Sequence, residues 1–162
     1  MPEALRGRAR RSKPEVLEIT WARFDELAHL IARAAQDFAP EAVVGVAKGG
    51  VFVGGAVASA LKVEFFPVRI SRRSRDSAAR SPAISGSMPE ELAGLRVLIV
   101  DDVAASGETL RLAKRLARAA GAKKVRTASL AIRTSGFKPD YHALEADEIV
   151  VFPWDYEGIA AP

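Results

Sequence analysis

The sequence predicts an α/β domain in which a central, mostly parallel sheet is flanked by helices. The first observation is that short, apolar runs such as 42–47 and 96–102 lead into turns rich in small residues. The second is that a segment with helical spacing follows each of these turns. Strands that read as continuous apolar runs are typical of parallel sheets, which are covered on both faces. A chain of 162 residues is expected to fold as one domain.

The chain begins with a basic segment, and the first helix follows it. Residues 1–15 are rich in arginine, so we expect a disordered tail and a single domain over 16–162. Thr20 is placed to cap a helix over 21–37. The apolar residues on the predicted core face of this helix are Trp21, Phe24, Leu27, Ala28, Ile31 and Ala35.

The alternation of strands and helices continues along the chain. Helices are predicted over Val51–Leu61 and over 107–120, and Gly121 ends the second. Residues 72–91 are polar and aperiodic, and a loop of about 20 residues is uncommon in a small domain unless it is functional or disordered. Residues 134–160 are expected to form a small irregular flap over one end of the sheet. The strands are predicted at 42–47, 62–71, 96–102, 125–132 and 149–152.

Composition excludes several classes of protein. The chain has no cysteine, which removes disulfides, thiolate nucleophiles and thiolate metal sites. Its two histidines are too few for a metal site built on several imidazoles. No apolar run reaches the roughly 18–20 residues that a membrane span needs, and the N-terminus lacks the apolar segment of a secretory signal. We therefore expect a cytoplasmic protein with no membrane partner.

The net charge of +4 is concentrated in two segments. Residues 1–16 carry a net charge of +3 and residues 69–80 carry +4, so the rest of the chain is negative. A basic tail is usually solvated, and weak nonspecific contact with nucleic acid is the alternative interpretation. The loop is a better candidate for binding a localised anion such as a phosphate. Nucleic acid is therefore not expected as the main partner.

Two turns at predicted strand ends suit anions, and ligands of such sheets bind at the carboxyl ends of strands. At Lys48–Gly50, two glycines and a helix start indicate an anion site, although a plain turn with a surface lysine fits equally well. At 105–109, the hydroxyls of Ser106 and Thr109 stand beside backbone N–H groups at a helix start. An ordinary cap with Ser106 at the N-cap position explains the same residues, and the two interpretations are compatible.

Asp101 and Asp102 favour one kind of ligand. Two carboxylates beside a phosphate site would repel the phosphate unless they bound another part of the same ligand. A sugar diol is one such part, and a divalent cation is another. The segment therefore predicts a site for a phosphorylated sugar. A phospho-accepting receiver domain also carries such an aspartate pair, but on its first strand, whereas here two strands come before it.

Three segments resemble one family. Residues 97–110, VLIVDDVAASGETL, resemble the phosphoribosyl-pyrophosphate (PRPP) motif of the type I phosphoribosyltransferases. Residues 43–50, VVGVAKGG, resemble the pyrophosphate loop of that family, and residues 72–88 stand where it has a mobile loop. The resemblance covers residues 16–157. The segments FKPDY and IVVFPWD are most similar to the compact hypoxanthine/guanine/xanthine enzymes of bacteria and archaea.

The resemblance implies an activity and its cofactor. A member of this family transfers 5-phosphoribose from PRPP to a purine base, here expected to be a 6-oxopurine such as hypoxanthine or guanine, and releases pyrophosphate. Mg²⁺ is the implied cofactor, and purine salvage is the implied role. A homodimer is expected only because dimers are usual in the family.

The resemblance also implies roles for individual residues. Asp101 and Asp102 would be catalytic and would bind the ribose hydroxyls, and Asp102 and Asp155 would support Mg²⁺. The 5′-phosphate would lie on Ala105, Ser106, Gly107, Glu108 and Thr109. Pyrophosphate would contact Lys48, Gly49, Arg72 and Arg73, and the family often has a cis peptide bond before the basic residue. The purine would contact Arg133, Ile149 and Val150, the last through its backbone.

The half of the site that would bind the base departs from the family pattern. Ala105 stands where the 6-oxopurine enzymes carry an aspartate that takes a proton from the purine. Ile132 or Arg133 stands in place of the usual lysine, and Ile149 in place of a stacking aromatic residue. Asp140, Asp147 and Glu148 are candidate substitute bases. Two other hypotheses stay open: a PRPP- or nucleotide-binding regulator without catalysis, and an unrelated α/β phosphate-binding protein.

Overall fold

The computed structural model describes residues 13–71, 83–84 and 87–159. Its strands are β1 (Val16–Glu18), β2 (Ala42–Ala47), β3 (Glu64–Ser71), β4 (Ala83–Ile84), β5 (Arg96–Ala104), β6 (Lys124–Ile132), β7 (Tyr141–Glu145) and β8 (Ile149–Val151). The α-helices in these ranges are α1 (Trp21–Ala34), α2 (Gly49–Leu61) and α3 (Glu108–Ala119), with short 3₁₀ turns at Ala35–Asp37 and Glu90–Leu92.

Among the described residues, six strands form the central sheet, in the order β4-β3-β2-β5-β6-β7. All neighbouring pairs are parallel except β3 with β4, which is antiparallel. The predicted fold class, an α/β domain with a mostly parallel sheet, is therefore confirmed. Within the described ranges, no helix is long and apolar enough to cross a membrane.

The sheet has a buried core on each face, which explains the wholly apolar strands. Neighbouring strand residues point to opposite faces. Val43 packs in the same cluster as Leu27 of α1 and Val53 of α2. The next residue, Val44, packs with Leu110 of α3 on the other side. Helices α1 and α2 therefore cover one face and α3 covers the other.

Three predictions at this level are wrong in part. The first helix ends at Ala34 and a 3₁₀ turn completes the predicted range. Trp21 is 52% exposed and lies at the rim of an aromatic cluster rather than in the core. Within the predicted flap, Tyr141–Glu145 is a strand that pairs with β6. This strand lies at the edge of the sheet and is only half-buried, so it lacks the apolar run that marks the inner strands.

A second, two-stranded sheet joins the two ends of the domain. Strand β1 pairs with β8 in parallel, with Val16 opposite Ile149 and Leu17 opposite Val150. Leu17 and Val150 pack on the core, whereas Val16 and Ile149 are exposed. We refer to β1 and β8 together as the hood.

The carboxyl ends of three neighbouring strands bring the predicted site together. Strand β5 lies between β2 and β6, and Ala104 at its end is the partner of Ile132. The turns that follow these strands therefore meet at one edge of the sheet, which is where ligands of such folds bind.

Candidate active site

The turn after β2 lies directly against the aspartates of β5. The peptide bond between Ala47 and Lys48 is cis, as the resemblance implies, and α2 begins at Gly49. A Cβ atom at Gly49 would overlap Oδ2 of Asp102. A Cβ at Gly50 would lie 2.6 Å from the backbone oxygen of Val100. Only residues without a side chain permit this close approach of the two segments.

The two aspartates are half-buried and partly held by their own backbone. Oδ1 of Asp101 accepts a hydrogen bond from the Asp102 amide at 2.8 Å, and Oδ1 of Asp102 accepts one from the Val103 amide at 2.8 Å. The carbonyl oxygen of Asp102 also accepts from the Ser129 hydroxyl at 3.2 Å. Oδ2 of Asp102 is thereby directed towards Gly49 and the start of α2.

The turn after β5 differs in one respect from the prediction. Helix α3 begins at Glu108, and its N-cap is Gly107 with a φ of 77°, so the predicted cap at Ser106 is wrong by one residue. The Ser106 hydroxyl accepts a hydrogen bond from the Glu108 amide at 3.4 Å. Thr109 is buried and Glu108 is exposed. The turn presents small residues and a helix N-terminus, which together form a common anion site.

The hood has an open backbone edge at Val150. The Ile149 amide donates to the carbonyl of Glu15 at 2.9 Å, and the Ile19 amide donates to the carbonyl of Val151 at 2.8 Å. In a parallel pair, alternate residues of a strand bond to the partner, so the N–H and C=O of Val150 point to the opposite edge of β8. No described strand pairs with that edge.

The Arg133 side chain is hydrogen-bonded to the backbone just before the hood strand β8. Its Nη1 donates to the carbonyl oxygens of Asp147 and Glu148, at 3.0 Å for the second. Ile132 is buried in the core behind α3. Neither residue therefore replaces the lysine of the family pattern directly, and Arg133 links the end of β6 to the residues that precede β8.

The three candidate substitute bases lie in two different places. Oδ2 of Asp140 accepts from the amide and the hydroxyl of Thr127, at 2.8 and 3.2 Å. Thr127 is five residues before the end of β6, so Asp140 is too far from the turns to act there. Asp147 and Glu148 instead line a cleft of about 520 Å³ beside the hood. Asp147 accepts from the Thr134 amide at 3.0 Å.

The same cleft has an acidic wall. Its lining residues are Pro14, Glu15, Thr134, Glu145, Ala146, Asp147, Glu148 and Ile149. Nζ of Lys138 donates to Oε1 of Glu145 at 2.7 Å and lowers the pKa of that carboxyl, with a smaller contribution from His142. Four of the eight lining residues carry a carboxyl group, which makes the wall of the cleft acidic, and the one at Glu145 is paired with Lys138.

Asp155 lies in a turn fixed by aromatic stacking. Its Oδ2 accepts from the Phe152 amide at 2.8 Å. The Trp154 ring is stacked between Phe52 of α2 and Phe152, with 4.8 Å between centroids on each side.

Among the residues that the structure describes, no group of three or more histidine and carboxylate side chains is arranged to hold a metal ion.

The remaining predicted contacts fall partly beyond the structure. Lys48 is exposed beside the start of α2, whereas Arg72 and Arg73 lie outside the described residues. The edge of the sheet thus brings together Lys48, Gly49, Asp101, Asp102 and the turn at 105–109. Phe137 and Arg111 contact that turn from behind. The sequence assigned neither residue a role, although Phe137 lies in the segment FKPDY, because the contact itself depends on tertiary structure.

The chain is similar to a known protein family and to several solved structures. The family described as "Phosphoribosyl transferase domain" matches residues 15–159. A purine phosphoribosyltransferase from Pyrococcus horikoshii is 25% identical, with a TM-score of 0.79, over 91% of this chain and 99% of that one. No curated protein sequence matches significantly.

Two further solved structures share the fold at lower identity. A xanthine-guanine-hypoxanthine phosphoribosyltransferase from Helicobacter pylori is 23% identical, with a TM-score of 0.75, over 86% of this chain and 93% of that one. A hypothetical protein from Neisseria gonorrhoeae with bound ppGpp is 18% identical, with a TM-score of 0.73, over 90% and 92%.

Proposed function

The chain belongs to the phosphoribosyl transferase domain family, and from that membership we propose that it transfers 5-phosphoribose from PRPP to a 6-oxopurine such as hypoxanthine or guanine. Pyrophosphate is the second product, and the role is purine salvage in the cytoplasm. The observation that carries the proposal is the contact of Asp102 with Gly49. This contact brings the carboxylate that would bind ribose next to the turn that would bind pyrophosphate, at one edge of the sheet.

The residues of this edge suit the two ends of PRPP. The amides of Ser106 to Thr109 and the N-terminus of α3 would hold the 5′-phosphate. Asp101 and Asp102 would accept hydrogen bonds from the 2′- and 3′-hydroxyls. Lys48 and the N-terminus of α2 would bind pyrophosphate, together with Arg72 and Arg73. As the bond from ribose C1 to pyrophosphate breaks, these cations stabilise the charge of the leaving group.

The carboxylates present fit Mg²⁺. This ion usually takes one or two carboxylates and completes its shell with water and substrate phosphates, so a cluster of three protein ligands is not required. Oδ2 of Asp102, beside Gly49, is next to the proposed pyrophosphate site. Asp102 and, through water, Asp155 would hold the ion. When bound, Mg²⁺ supplies neutralisation of the leaving pyrophosphate.

The hood would select the base. The N–H and C=O of Val150 are a donor and an acceptor side by side, which suits the hydrogen-bonding edge of a purine. Ile149 and Arg133 would complete the contacts, Ile149 by packing on the ring and Arg133 by fixing the hood. The preference for a 6-oxopurine rests on the resemblance of FKPDY and IVVFPWD to the hypoxanthine/guanine enzymes.

Ala105 favours a second candidate function. Because alanine cannot take the purine proton, the same fold would also serve a protein that binds PRPP or a nucleotide and regulates another process. In that case the site would bind its ligand without turnover. We also propose a homodimer, with about twice the mass of the 17.4 kDa chain, as is usual in the family.

The deciding experiment measures pyrophosphate release from PRPP and Mg²⁺ with hypoxanthine, guanine, xanthine, adenine, orotate and uracil. We expect release with at least one 6-oxopurine and none with orotate or uracil. Gly49→Ala should lower kcat/KM for PRPP by about tenfold or more, since its methyl group displaces the Asp102 carboxylate. Gly55→Ala is the matched control on the same helix, because its Cβ would lie 3.9 Å from the nearest atom, in Phe65.

Three results would decide against this assignment. Release with adenine alone would contradict the 6-oxopurine preference. Binding of PRPP or a nucleotide without release with any base would favour the regulator. An equal loss in Gly49→Ala and Gly55→Ala would remove the argument from the Asp102 contact.

A further inference from the structure

The turn that would hold the 5′-phosphate is itself held from behind by two residues. The amide of Phe137, in the segment between β6 and β7, donates to the carbonyl oxygen of Ala105 at 2.9 Å. Nη1 of Arg111, in the first turn of α3, donates to the carbonyl oxygen of Ser106 at 2.8 Å. Two consecutive carbonyls of the turn therefore have fixed partners.

These two partners form one packed unit. The guanidinium carbon of Arg111 lies 4.6 Å from the centre of the Phe137 ring, within the range of a cation–π contact. The same ring covers Gly107, where a Cβ atom would overlap it. At Gly136, a Cβ atom would lie 2.8 Å from the Ala105 oxygen. Glycines at 107 and 136 are thus what allow the Phe137 segment to lie on the turn.

The two fixed carbonyls also determine where the neighbouring amide N–H groups point. In a planar trans peptide, the C=O and N–H of one unit point in opposite directions. With the Ala105 oxygen fixed towards Phe137, the Ser106 N–H points away from that residue. With the Ser106 oxygen fixed towards Arg111, the Gly107 N–H points away from Arg111. Two amide donors are therefore directed to the side of the turn that these residues leave open.

We propose that Arg111 and Phe137 are positioning residues that preorganise the Ser106 and Gly107 amides for the 5′-phosphate. The inference rests on the proposed function, since it concerns the ligand of that same turn. A turn of small residues with a glycine at positive φ has other conformations available, and a bound phosphate would otherwise have to select one of them. Fixing the donors beforehand lowers the cost of binding.

The test compares binding of two ligands that do not require turnover. Isothermal titration calorimetry measures the affinity of the full chain for ribose 5-phosphate and, with Mg²⁺, for pyrophosphate. Arg111→Ala removes one charge-assisted hydrogen bond and should weaken ribose 5-phosphate binding by about tenfold. Phe137→Ala keeps the backbone donor but removes the ring that covers Gly107 and packs on Arg111, and it should weaken binding by a similar factor because the turn is then less fixed. Pyrophosphate affinity should stay within about twofold of wild type, because its proposed site is on another turn. Phe137→Tyr keeps the ring and the backbone donor and should retain wild-type affinity.

The chain contains a matched control pair. The Arg126 guanidinium carbon lies 4.8 Å from the centre of the Phe38 ring, and Arg126 is six residues before the end of β6, about 20 Å along the strand from the turn. Arg126→Ala removes the same kind of contact and should leave ribose 5-phosphate affinity unchanged. Amide NMR shifts of Ser106 and Gly107 during the titration provide a second readout, and these shifts should shrink in Arg111→Ala.

Each possible outcome decides the inference. Selective loss of ribose 5-phosphate binding in Arg111→Ala and Phe137→Ala supports it. Unchanged ribose 5-phosphate binding in both variants overturns it, as does an equal loss for ribose 5-phosphate and pyrophosphate. A wild-type chain that binds neither ligand would overturn the proposed function together with this inference, so the two failures are distinguishable.

Discussion

At the scale of single residues, we expect Ala105 to limit the rate of the proposed chemistry. The purine must lose a ring proton when its nitrogen attacks ribose C1, and a methyl group cannot accept it. Of the three candidate substitute bases, Asp140 lies too far from the turns, whereas Asp147 and Glu148 line the cleft beside the hood and remain the candidate proton acceptors. Asp147 is already engaged with the Thr134 amide, so its orientation is set by the segment after β6. Slow turnover is therefore expected in the wild type.

Ala105→Asp should raise kcat with a 6-oxopurine by about 10²-fold or more, the usual contribution of a general base. The measurement is pyrophosphate release as a function of pH, and the variant should show a new acidic limb in kcat. Ala22→Asp, at an exposed alanine of α1, is the control for an added carboxylate. A kcat that does not change in Ala105→Asp would mean that proton transfer does not limit the reaction.

At the scale of elements, the Trp154 stack connects the hood to the start of α2, next to the turn proposed to bind pyrophosphate. Trp154 lies between Phe152, directly after β8, and Phe52, in the first turn of α2. Phe24 of α1 also meets the indole edge-on at 5.1 Å. Such rings stabilise beyond the area that they bury. The stack therefore fixes the position of Asp155 and Val150 relative to Lys48.

Trp154→Ala should destabilise the fold by about 2–4 kcal/mol, somewhat below the cost of a fully buried tryptophan because this one is half-buried. It should also raise KM for the purine more than KM for PRPP, since the hood loses its anchor while the β5 turn does not. Urea denaturation and steady-state kinetics measure the two effects. Tyr156→Ala, at a side chain 82% exposed, should change stability by less than about 0.5 kcal/mol. Equal effects on both KM values would contradict this account.

The elements differ in how far sequence could predict them. The inner strands were predictable because burial on both faces requires apolar runs. The turn at 105–109 was predictable because small residues there separate an apolar run from a segment with helical spacing. Strand β8 was predicted at 149–152 and is found at Ile149–Val151, whereas β1 has only three residues, which is too short for a periodic signal, and was not predicted. Their pairing, the Trp154 stack and the bond from Phe137 to Ala105 join distant parts of the chain. Such contacts depend on tertiary structure, and no local pattern records them.

At the scale of the whole molecule, the proposed site is divided between two structural units. The ribose, phosphate and pyrophosphate would bind at the carboxyl edge of the central sheet. The base would bind at the hood, which is attached to the sheet through Arg133 and the Trp154 stack. A ligand that binds only at the carboxyl edge of the sheet should not change the mobility of the hood. A nucleotide should affect both, because it spans the two units.

This division predicts different protection from hydrogen exchange by different ligands. Ribose 5-phosphate should slow exchange of the amides at 105–109 and leave those of β8 unchanged. GMP or IMP should protect both segments, slowing exchange of the β8 amides by about tenfold, because a base bonded to Val150 must be released before that edge opens. Pyrophosphate with Mg²⁺ serves as the control and should protect 48–50 alone. Hydrogen exchange with mass spectrometry measures all three cases. Equal protection of β8 by ribose 5-phosphate and by the nucleotides would mean that the hood responds to the phosphate turn and not to the base.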